Sequence, residues 1–302
     1  MASFKTYYND YRNFGFRYVL NYWIMGRLCG KKCKHAAVTH YLRRFFLKNP
    51  VEDVQYTANP NPYPDSIWVC WWQGEEQMPE VVKICYASLK AHSNGHPVRL
   101  VTKDNYKQYV DVPDWVMKKF KKREITITHF SDILRLTLLS RYGGFWMDAT
   151  LYITGDLPKE VPVFFTLKQA QKNNEYVSAY RWSGYCMGGT NTNKIFSQAY
   201  SMLINGYWLK QDKLINYYIL DYIYDLLYQT NIDIKAMIDA NPYNNPDVMF
   251  LVEHMNKPYN SNQWDRIKEH TYVHKLSWKH QYTAQVNDNE QTYYGYIKRE
   301  LI

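Results

Sequence analysis

Charged side chains surround the stretch YGGFWMDAT, residues 142–150, and could do chemistry there. Asp148 ends a short apolar run, and an acid at the carboxyl end of a buried strand is a common component of polar sites. It could meet a divalent cation, a ribose or a sugar hydroxyl. A strand end that simply reaches solvent explains it equally well. One carboxylate binds magnesium or manganese weakly unless substrate phosphates complete the shell, and Thr150, two residues on, offers only a hydroxyl.

Asp132 and Arg135 precede this stretch and are three residues apart, so a helix would place them on one face. The arginine could contact phosphate or sugar oxygens, and the aspartate could accept hydrogen bonds from sugar hydroxyls. The alternative is an ion pair within the helix, worth only a few tenths of a kcal/mol. The glycine turn and the acidic strand end that follow favour a functional role.

Two other segments carry candidate residues. Trp71 and Trp72 follow an apolar run and could stack on a nucleobase, or they could belong to the core. His274, Lys275 and Lys279 lie in VHKLSWKH, where a histidine can bind metal and lysines can hold phosphates; a basic surface tail is the alternative. The sequence has no glycine-rich phosphate loop and no G-x-S-x-G or H-E-x-x-H motif, which disfavours hydrolases.

Strands and helices alternate along the chain. We expect strands at residues 66–72, 97–102, 125–129, 145–147 and 163–167, and helices from Pro79, around 104–110 and 113–123, in 130–144 with Ser131 as N-cap, at 194–208 and at 212–228. This order predicts an α/β fold with a mostly parallel sheet. Ligands bind beyond the carboxyl ends of such strands, so WWQG (71–74) and DAT (148–150) should face one crevice.

Composition sets the class of protein. The chain has 302 residues, 46% of them hydrophobic, and a net charge of +9, so it can bury a core and attract phosphates of nucleotides, nucleic acid or anionic lipid. Five cysteines without paired spacing indicate reduced thiols. No secretory signal and no membrane-spanning apolar run are visible. We therefore expect a soluble or peripherally membrane-bound cytoplasmic protein.

The first 49 residues mix aromatic and basic side chains at roughly helical spacing. An interfacial helix resting on an anionic bilayer would look like this, and so would a helix packed on the main domain with its basic face in water. Residues 58–66 contain three prolines and predict a linker. We expect a helical N-terminal extension with its linker over 1–64 and the main domain over 65–302.

The motifs IWVCWWQG, SDILRLTLLSRYGGFWMDAT and HKLSWK together resemble the capsular polysaccharide synthesis family. That family is related to glycosyltransferase family 32 and, more distantly, to the glucosylating domain of the large clostridial toxins. The resemblance runs from about residue 66 to residue 280 and includes the long pattern S-D-x-x-R-x-x-x-L-x-x-Y-G-G-x-x-x-D. It implies a Rossmann-type GT-A fold and transfer of a sugar from a nucleotide donor with retention of anomeric configuration.

The resemblance also assigns roles to residues. It implies that Asp132, Arg135 and Asp148 are catalytic, with Asp148 as the first residue of a D-x-D motif whose second aspartate is replaced by Thr150. It implies a divalent metal, Mn²⁺ or Mg²⁺, held weakly by Asp148 and His274. The predicted nucleotide-sugar site comprises Trp71, Trp72, Gln73, Gly74, Ser131, Asp132, Arg135, Gly144, Trp146, Asp148, Ala149, Thr150 and Lys279.

The function that we expect is a glycosyltransferase at the inner face of a bacterial membrane. It would extend a capsular or cell-surface polysaccharide on an oligosaccharide or lipid-linked acceptor, and its basic N-terminal segment suits an anionic membrane. A catalytically impaired sugar-nucleotide-binding relative is the first alternative, because of Thr150. A basic nucleic-acid-binding protein is the second, but acids at the strand ends argue against it, so we expect no nucleic-acid partner.

Overall fold

The computed structural model describes residues 3–54, 60–169, 176–286 and 290–300. The strands are β1 (Ile67–Cys70), β2 (Val98–Val101), β3 (Gly144–Met147), β4 (Leu151–Ile153), β5 (Phe164–Thr166), β6 (Cys186–Gly189), β7 (Val273–Lys275), β8 (Gln285–Val286) and β9 (Glu290–Gln291). The α-helices are α1 (Phe4–Phe14), α2 (Phe16–Val19), α3 (Gly26–Leu28), α4 (Lys31–Lys48), α5 (Glu80–Ala91), α6 (Asp114–Lys121), α7 (Ile127–Tyr142), α8 (Lys194–Tyr200), α9 (Ile219–Thr230), α10 (Ile232–Asp239), α11 (Phe250–His254), α12 (Ser261–Lys268) and α13 (Tyr293–Glu300). Leu20–Met25 and Ser201–Trp208 are π-helical, and Glu75–Gln77 and Tyr106–Gln108 form 3₁₀ turns.

A five-stranded sheet in the order β2-β1-β3-β6-β5 forms the centre of the fold. β2, β1, β3 and β5 run in one direction and β6 runs against them. One apolar cluster includes residues of α7, α8 and α9, and the other includes residues of α5, α12 and α13. The predicted α/β fold with a mostly parallel sheet is confirmed.

Glycines allow the strands around β3 to approach each other. Gly144 has φ +91° and a Cβ there would lie 2.1 Å from the Ser66 carbonyl oxygen. Gly188 in β6 faces β3, and its Cβ would lie 2.3 Å from the Gly144 oxygen. Sequence patterns do not reveal β6, because its residues Cys-Met-Gly-Gly show neither alternation nor β-branched side chains.

The strand predicted at residues 125–129 is wrong. Thr126 instead caps α7, and its side chain accepts a hydrogen bond from the His129 main-chain nitrogen. The helix therefore begins before the predicted cap, Ser131, whose hydroxyl donates to the Thr128 carbonyl at 2.6 Å. The cap and burial of Phe130 outweigh the strand propensity of the β-branched residues. The helix predicted from residue 212 begins at Ile219 in α9.

The N-terminal helices pack on the main domain. Phe14, Tyr18 and Leu42 are buried in the same apolar cluster as residues of α9. Lys213 Nζ lies 2.6 Å from Asp10 Oδ1 and ties α1 to the segment before α9. This is the packed arrangement that the sequence left open, although its outer surface still exposes several large apolar side chains.

The prolines before β1 belong to a segment with definite contacts where it is described. Residues 58 and 59 of the predicted linker lie outside the described residues. Within 60–66, Asn61 Nδ2 donates to the Tyr142 carbonyl at 2.8 Å. In the described ranges, no helix is both long enough and apolar enough to cross a membrane.

Candidate active site

Asp148 lies immediately after β3, where the main chain leaves the sheet. Its main-chain nitrogen donates to the Tyr185 carbonyl at 2.9 Å. The Trp146 indole nitrogen, two residues earlier on β3, donates to Asp148 Oδ1 at 3.0 Å. Trp146 is itself buried, so its indole holds the carboxylate in a fixed position at the end of β3. The predicted carboxylate at a strand end is present.

Two cations hold the Asp148 carboxylate, one on each oxygen. Lys275 Nζ lies 2.8 Å from Oδ2, and Arg135 Nη2 lies 3.5 Å from Oδ1. Lys275 reaches this position because β7 pairs with β4, with Lys275 opposite Leu151. Residues separated by 127 positions in sequence thus meet at the carboxyl end of β3.

Asp132 and Arg135 form the pair that their spacing predicted. Arg135 Nη1 lies 3.3 Å from Asp132 Oδ1, and the guanidinium carbon lies 4.9 Å from the Trp146 ring centroid. Arg135 is 7% exposed and bridges two carboxylates. Within the described residues its buried Nε has no hydrogen-bond partner. The simple helix-surface ion pair is therefore the wrong description.

Burial and pairing set the charge states of this cluster. Burial raises the pKa of Asp132, and Arg135 offsets part of this effect. Burial acts in the same direction on Asp148, but Lys275 and Arg135 outweigh it, so the pKa of Asp148 is lowered. Burial acts to lower the pKa of Arg135, but Asp132 and Asp148 outweigh it and raise that pKa. Asp148 is thus the more firmly ionised of the two carboxylates.

Thr150 makes a contact that bears on the predicted metal. Its Oγ1 accepts a hydrogen bond from Lys275 Nζ at 2.9 Å, so the ammonium lies between Thr150 and Asp148. A cation of the protein therefore takes the position beside the D-x-D-like motif. In the part of the chain that the structure describes, no three His, Cys, Asp or Glu side chains converge on a metal position. These residues do not by themselves fit a resident divalent cation.

The prediction that His274 joins Asp148 as a metal ligand is wrong. His274 is 0% exposed in β7, and its ring centroid lies 4.9 Å from that of Trp264. Successive strand residues point to opposite faces, so Lys275 reaches the site while His274 enters the core. Burial lowers the pKa of His274 to about 3, which keeps the imidazole neutral.

The two candidate tryptophans differ in their surroundings. Trp72 is half-buried and packs in an aromatic cluster with Tyr106, Phe120 and Phe130. The Trp71 centroid lies 6.0 Å from that of Trp278, which is 49% exposed. Of the pair, Trp71 lies beside an exposed ring and is the stronger candidate for stacking on a nucleobase.

In the described part of the chain, the remaining predicted site residues form no hydrogen bond or ion pair with Asp148. Lys279 is exposed beside Trp278, with Nζ 5.9 Å from its ring centroid. Gln73 is exposed, and Gly74 has φ +96° in the turn after β1. Ser131 bonds within α7, Gly144 spaces the strands and Ala149 is buried in the core.

A cavity of about 960 Å³ opens beside the cluster, and we call it the substrate cavity. Its lining includes Gly184, Tyr185 and Lys275, which contact or adjoin the Asp148 cluster. It also includes Asp221 at the start of α9, whose Oδ1 accepts from the Trp182 indole at 2.9 Å. Burial raises the pKa of Asp221 to about 6.

Asp221 and Lys275 are two residues of this region that were not among the predicted site residues. Asp221 stands in ILDYIYDLL, where an acid inside an apolar and aromatic helix was an available signal. Lys275 was named among three basic-tail candidates, but its pairing with β4 is a long-range fact that spacing does not give.

An α/β sheet with a charged cluster and a cavity at its strand ends is the arrangement predicted above for a glycosyltransferase. The chain belongs to the capsular polysaccharide synthesis protein family, whose model matches residues 28–297. The predicted family is confirmed, and the predicted enzyme class, a glycosyltransferase, agrees with it. The matched range begins within the segment predicted as an extension.

Two solved structures of glycosyltransferases are similar to this chain. The PaToxG glycosyltransferase is 12% identical with a TM-score of 0.41, and the match covers 81% of this chain and 100% of that one. The bifunctional glycosyltransferase WbbM, in its apo structure, is 10% identical with a TM-score of 0.37, covering 80% of this chain and 50% of that one. A search of curated protein sequences finds no match.

Proposed function

We propose that the protein transfers a sugar from a nucleotide-sugar donor to a glycan acceptor in capsular polysaccharide synthesis. The observation that carries this is the Asp148 carboxylate at the end of β3, held between Arg135 and Lys275 beside a large cavity. Catalysis of such a transfer consists mainly of stabilising charge that develops on the leaving diphosphate. Paired cations fixed at a strand end suit that task.

The donor would lie across the carboxyl ends of β1 and β3. Trp71, beside Trp278, would stack on the base, and Asp132 and Arg135 would contact the donor sugar. Retention of configuration rests on the resemblance to the family. In transfer the bond from the anomeric carbon to the diphosphate oxygen breaks, a bond from that carbon to the acceptor hydroxyl oxygen forms, and the hydroxyl proton passes to the leaving diphosphate.

Lys275 would neutralise charge on the diphosphate. Its ammonium lies 2.8 Å from Asp148, and the Lys275 side chain is 23% exposed, which leaves room for a phosphate oxygen to approach. The predicted Mn²⁺ or Mg²⁺ remains a proposal in a narrower form. Because the protein offers one accessible carboxylate beside a lysine, the ion would bind together with the donor and take most of its ligands from phosphate and water.

The substrate cavity would hold the acceptor. None of the candidate base-binding residues Trp71, Gln73 and Gly74 lines it, so it is separate from the proposed base site. Tyrosines of its lining supply flat rings for sugar faces, and the Asp221 carboxylate can accept hydrogen bonds from hydroxyls. An oligosaccharide, free or lipid-linked, fits a cavity of this size and lining.

We also propose that the enzyme works as a peripheral protein at the inner face of the bacterial membrane. The N-terminal helices expose large apolar side chains, among them Phe4 at 84% and Leu28 at 77%. Basic residues alternate with them in the sequence. An apolar surface of this kind with interspersed cations is typical of proteins that rest on anionic bilayers.

A thermal-shift screen with a panel of nucleotide sugars, with and without manganese, tests the proposed function. A donor that binds the folded state raises the melting temperature by mass action. Wild-type protein should respond to one nucleotide sugar, and Asp148→Asn should lose that response; Asp104→Asn, an exposed acid in a turn, is the matched control. No response of wild type to any nucleotide sugar would contradict the proposal. Donor binding without transfer to any glycan would favour the catalytically impaired alternative.

A further inference from the structure

A second concave feature lies among the N-terminal helices, and we call it the N-terminal groove. It has a volume of about 410 Å³ and lies between the α1–α2 junction and α4. The rings of Phe14, Tyr18 and Phe45 form its buried floor. Its lining residues and those of the substrate cavity form two separate sets.

Cations line one wall of this groove at helical spacing. His40, Arg44 and Lys48 are four residues apart on α4, so they form a row along one helix face. Arg17 faces them from α2. Arg17 and Arg44 are close enough to His40 to act, after burial, in lowering its pKa. The row thus places basic side chains next to one another, and Arg44 and Lys48 are its like-charged pair.

The described part of the chain offers these cations no carboxylate partner. No salt bridge to Arg17, Arg44 or Lys48 exists among its residues, whereas Lys213 and Arg181 elsewhere each have one at 2.6 Å. Like charges four residues apart on a helix destabilise it by a few tenths of a kcal/mol per pair. A chain that bears this cost at a concave aromatic surface has the arrangement of an anion site rather than of a merely solvated face.

Exposed apolar side chains near the groove indicate which kind of anion it could bind. Phe16 lines the groove and is 66% exposed, and Leu47, beside Lys48 on α4, is 77% exposed. A free phosphate ion gains no favourable contact from exposed apolar side chains. A phospholipid does, because the apolar side chains can enter the acyl boundary while arginines bind the phosphate of the headgroup.

We propose that the N-terminal groove binds the phosphate of an anionic phospholipid headgroup. Arg17 and Arg44 hold the phosphate oxygens, since a guanidinium can donate two parallel hydrogen bonds to a phosphate. Phe16 and Leu47 enter the lipid surface. The site rests on the proposed membrane association and is independent of the proposed sugar transfer.

The test compares two variants of equal charge in vesicle co-sedimentation. Arg17→Gln/Arg44→Gln removes two charges from the groove, and Lys5→Gln/Arg12→Gln removes two from exposed positions on α1 outside it. The vesicles contain phosphatidylcholine with phosphatidylglycerol, or phosphatidylcholine alone. We expect the groove variant to bind the anionic vesicles about tenfold more weakly than the control variant does. A tenfold change in affinity is about the contribution of one hydrogen bond to a charged group.

Circular dichroism melting establishes that both variants are folded. Equal losses in the two variants would overturn the site, because diffuse surface charge would then explain binding. Wild-type binding to neither vesicle would overturn the membrane association on which it rests. If inorganic phosphate protects wild type, but not the groove variant, against thermal unfolding and vesicles do not bind, the ligand is a free phosphate and the lipid assignment is wrong. Donor-induced thermal shifts, measured in parallel, report separately on the proposed function.

Discussion

The Asp148 cluster and the N-terminal groove both contain several charged side chains, but among the described residues the charges are paired within the protein at the cluster and are not paired at the groove. At the cluster, Arg135 and Lys275 are matched by Asp132 and Asp148 within 3.5 Å, and the side chains are largely buried. At the groove, cations lie side by side on exposed surface. A buried charge must be compensated inside the protein, since the penalty for leaving it unpaired is several kcal/mol. An exposed charge stays hydrated and can pair with a partner from outside the protein.

Removal of Arg135 should give the largest effect on stability. Arg135→Met leaves Asp132 and Asp148 without the cation that they share, so we expect unfolding free energy to fall by about 3–5 kcal/mol. Urea denaturation measures this. Arg141→Met, on the same helix but with a half-exposed side chain, is the control and should change stability little. A drop in activity with unchanged stability would mean that Arg135 is not a structural bridge.

Lys275→Met should separate chemistry from folding at the same cluster. Asp148 keeps Arg135 and Trp146, so the fold persists, while the proposed neutralisation of the diphosphate is lost. We expect transfer to fall by about 10²–10³, the cost of removing one preorganised group that stabilises developing charge. Lys279→Met is the paired comparison. A greater loss in that variant than in Lys275→Met would assign the diphosphate to Lys279, as the sequence first suggested.

Asp221 predicts a pH dependence of stability with a definite sign. Because its folded pKa is raised to about 6, the native state binds a proton that the unfolded state releases near pH 4. Its contribution is therefore fully present below about pH 4 and declines as pH rises towards 6. Two pKa units correspond to at most about 3 kcal/mol.

Asp221→Asn removes this dependence. The variant should lose less stability than wild type between about pH 4 and pH 6.5, and it should be the more stable protein above that range. Chemical denaturation at a series of pH values gives the comparison, with Asp104→Asn as a variant that should follow wild type. Parallel curves for wild type and Asp221→Asn would show that Asp221 has an ordinary pKa.

The metal prediction can be sharpened at Thr150. Thr150→Asp alone should gain little manganese affinity, because Lys275 lies between residues 148 and 150 and would pair with the new carboxylate. Thr150→Asp/Lys275→Met should bind manganese at least about tenfold more tightly than the single variant, since two carboxylates then face each other without the ammonium. Calorimetry without nucleotide measures both. Tight binding by wild type would mean that other acids hold the ion.

Local patterns predicted most of the elements but could not predict the pairing of distant segments. The S-D-x-x-R helix, the glycine pair and the acid after β3 are contiguous, so their spacing made Asp132, Arg135 and Asp148 candidates, and the family resemblance gave them roles. β6 was not predicted, because its glycines allow neighbouring strands to approach closely and give the sequence no strand-like pattern. The choice between His274 and Lys275 depended on strand register, since one residue of shift exchanges the core face for the site face.

The smallest expected effect has the opposite sign in the groove from the effect expected at the Asp148 cluster. Arg44→Gln in the groove removes a charge whose neighbours His40 and Lys48 are both basic, so the repulsion along α4 decreases. We expect stability to rise by a few tenths of a kcal/mol, the reverse of the loss at Arg135. The gain should shrink at high salt, because exposed like charges are then already screened. Thermal melts at low and high ionic strength measure this, with Arg12→Gln on α1 as control. A clear loss of stability in Arg44→Gln would show that Arg44 has a structural partner, and the contrast between compensated and uncompensated arginines would fail.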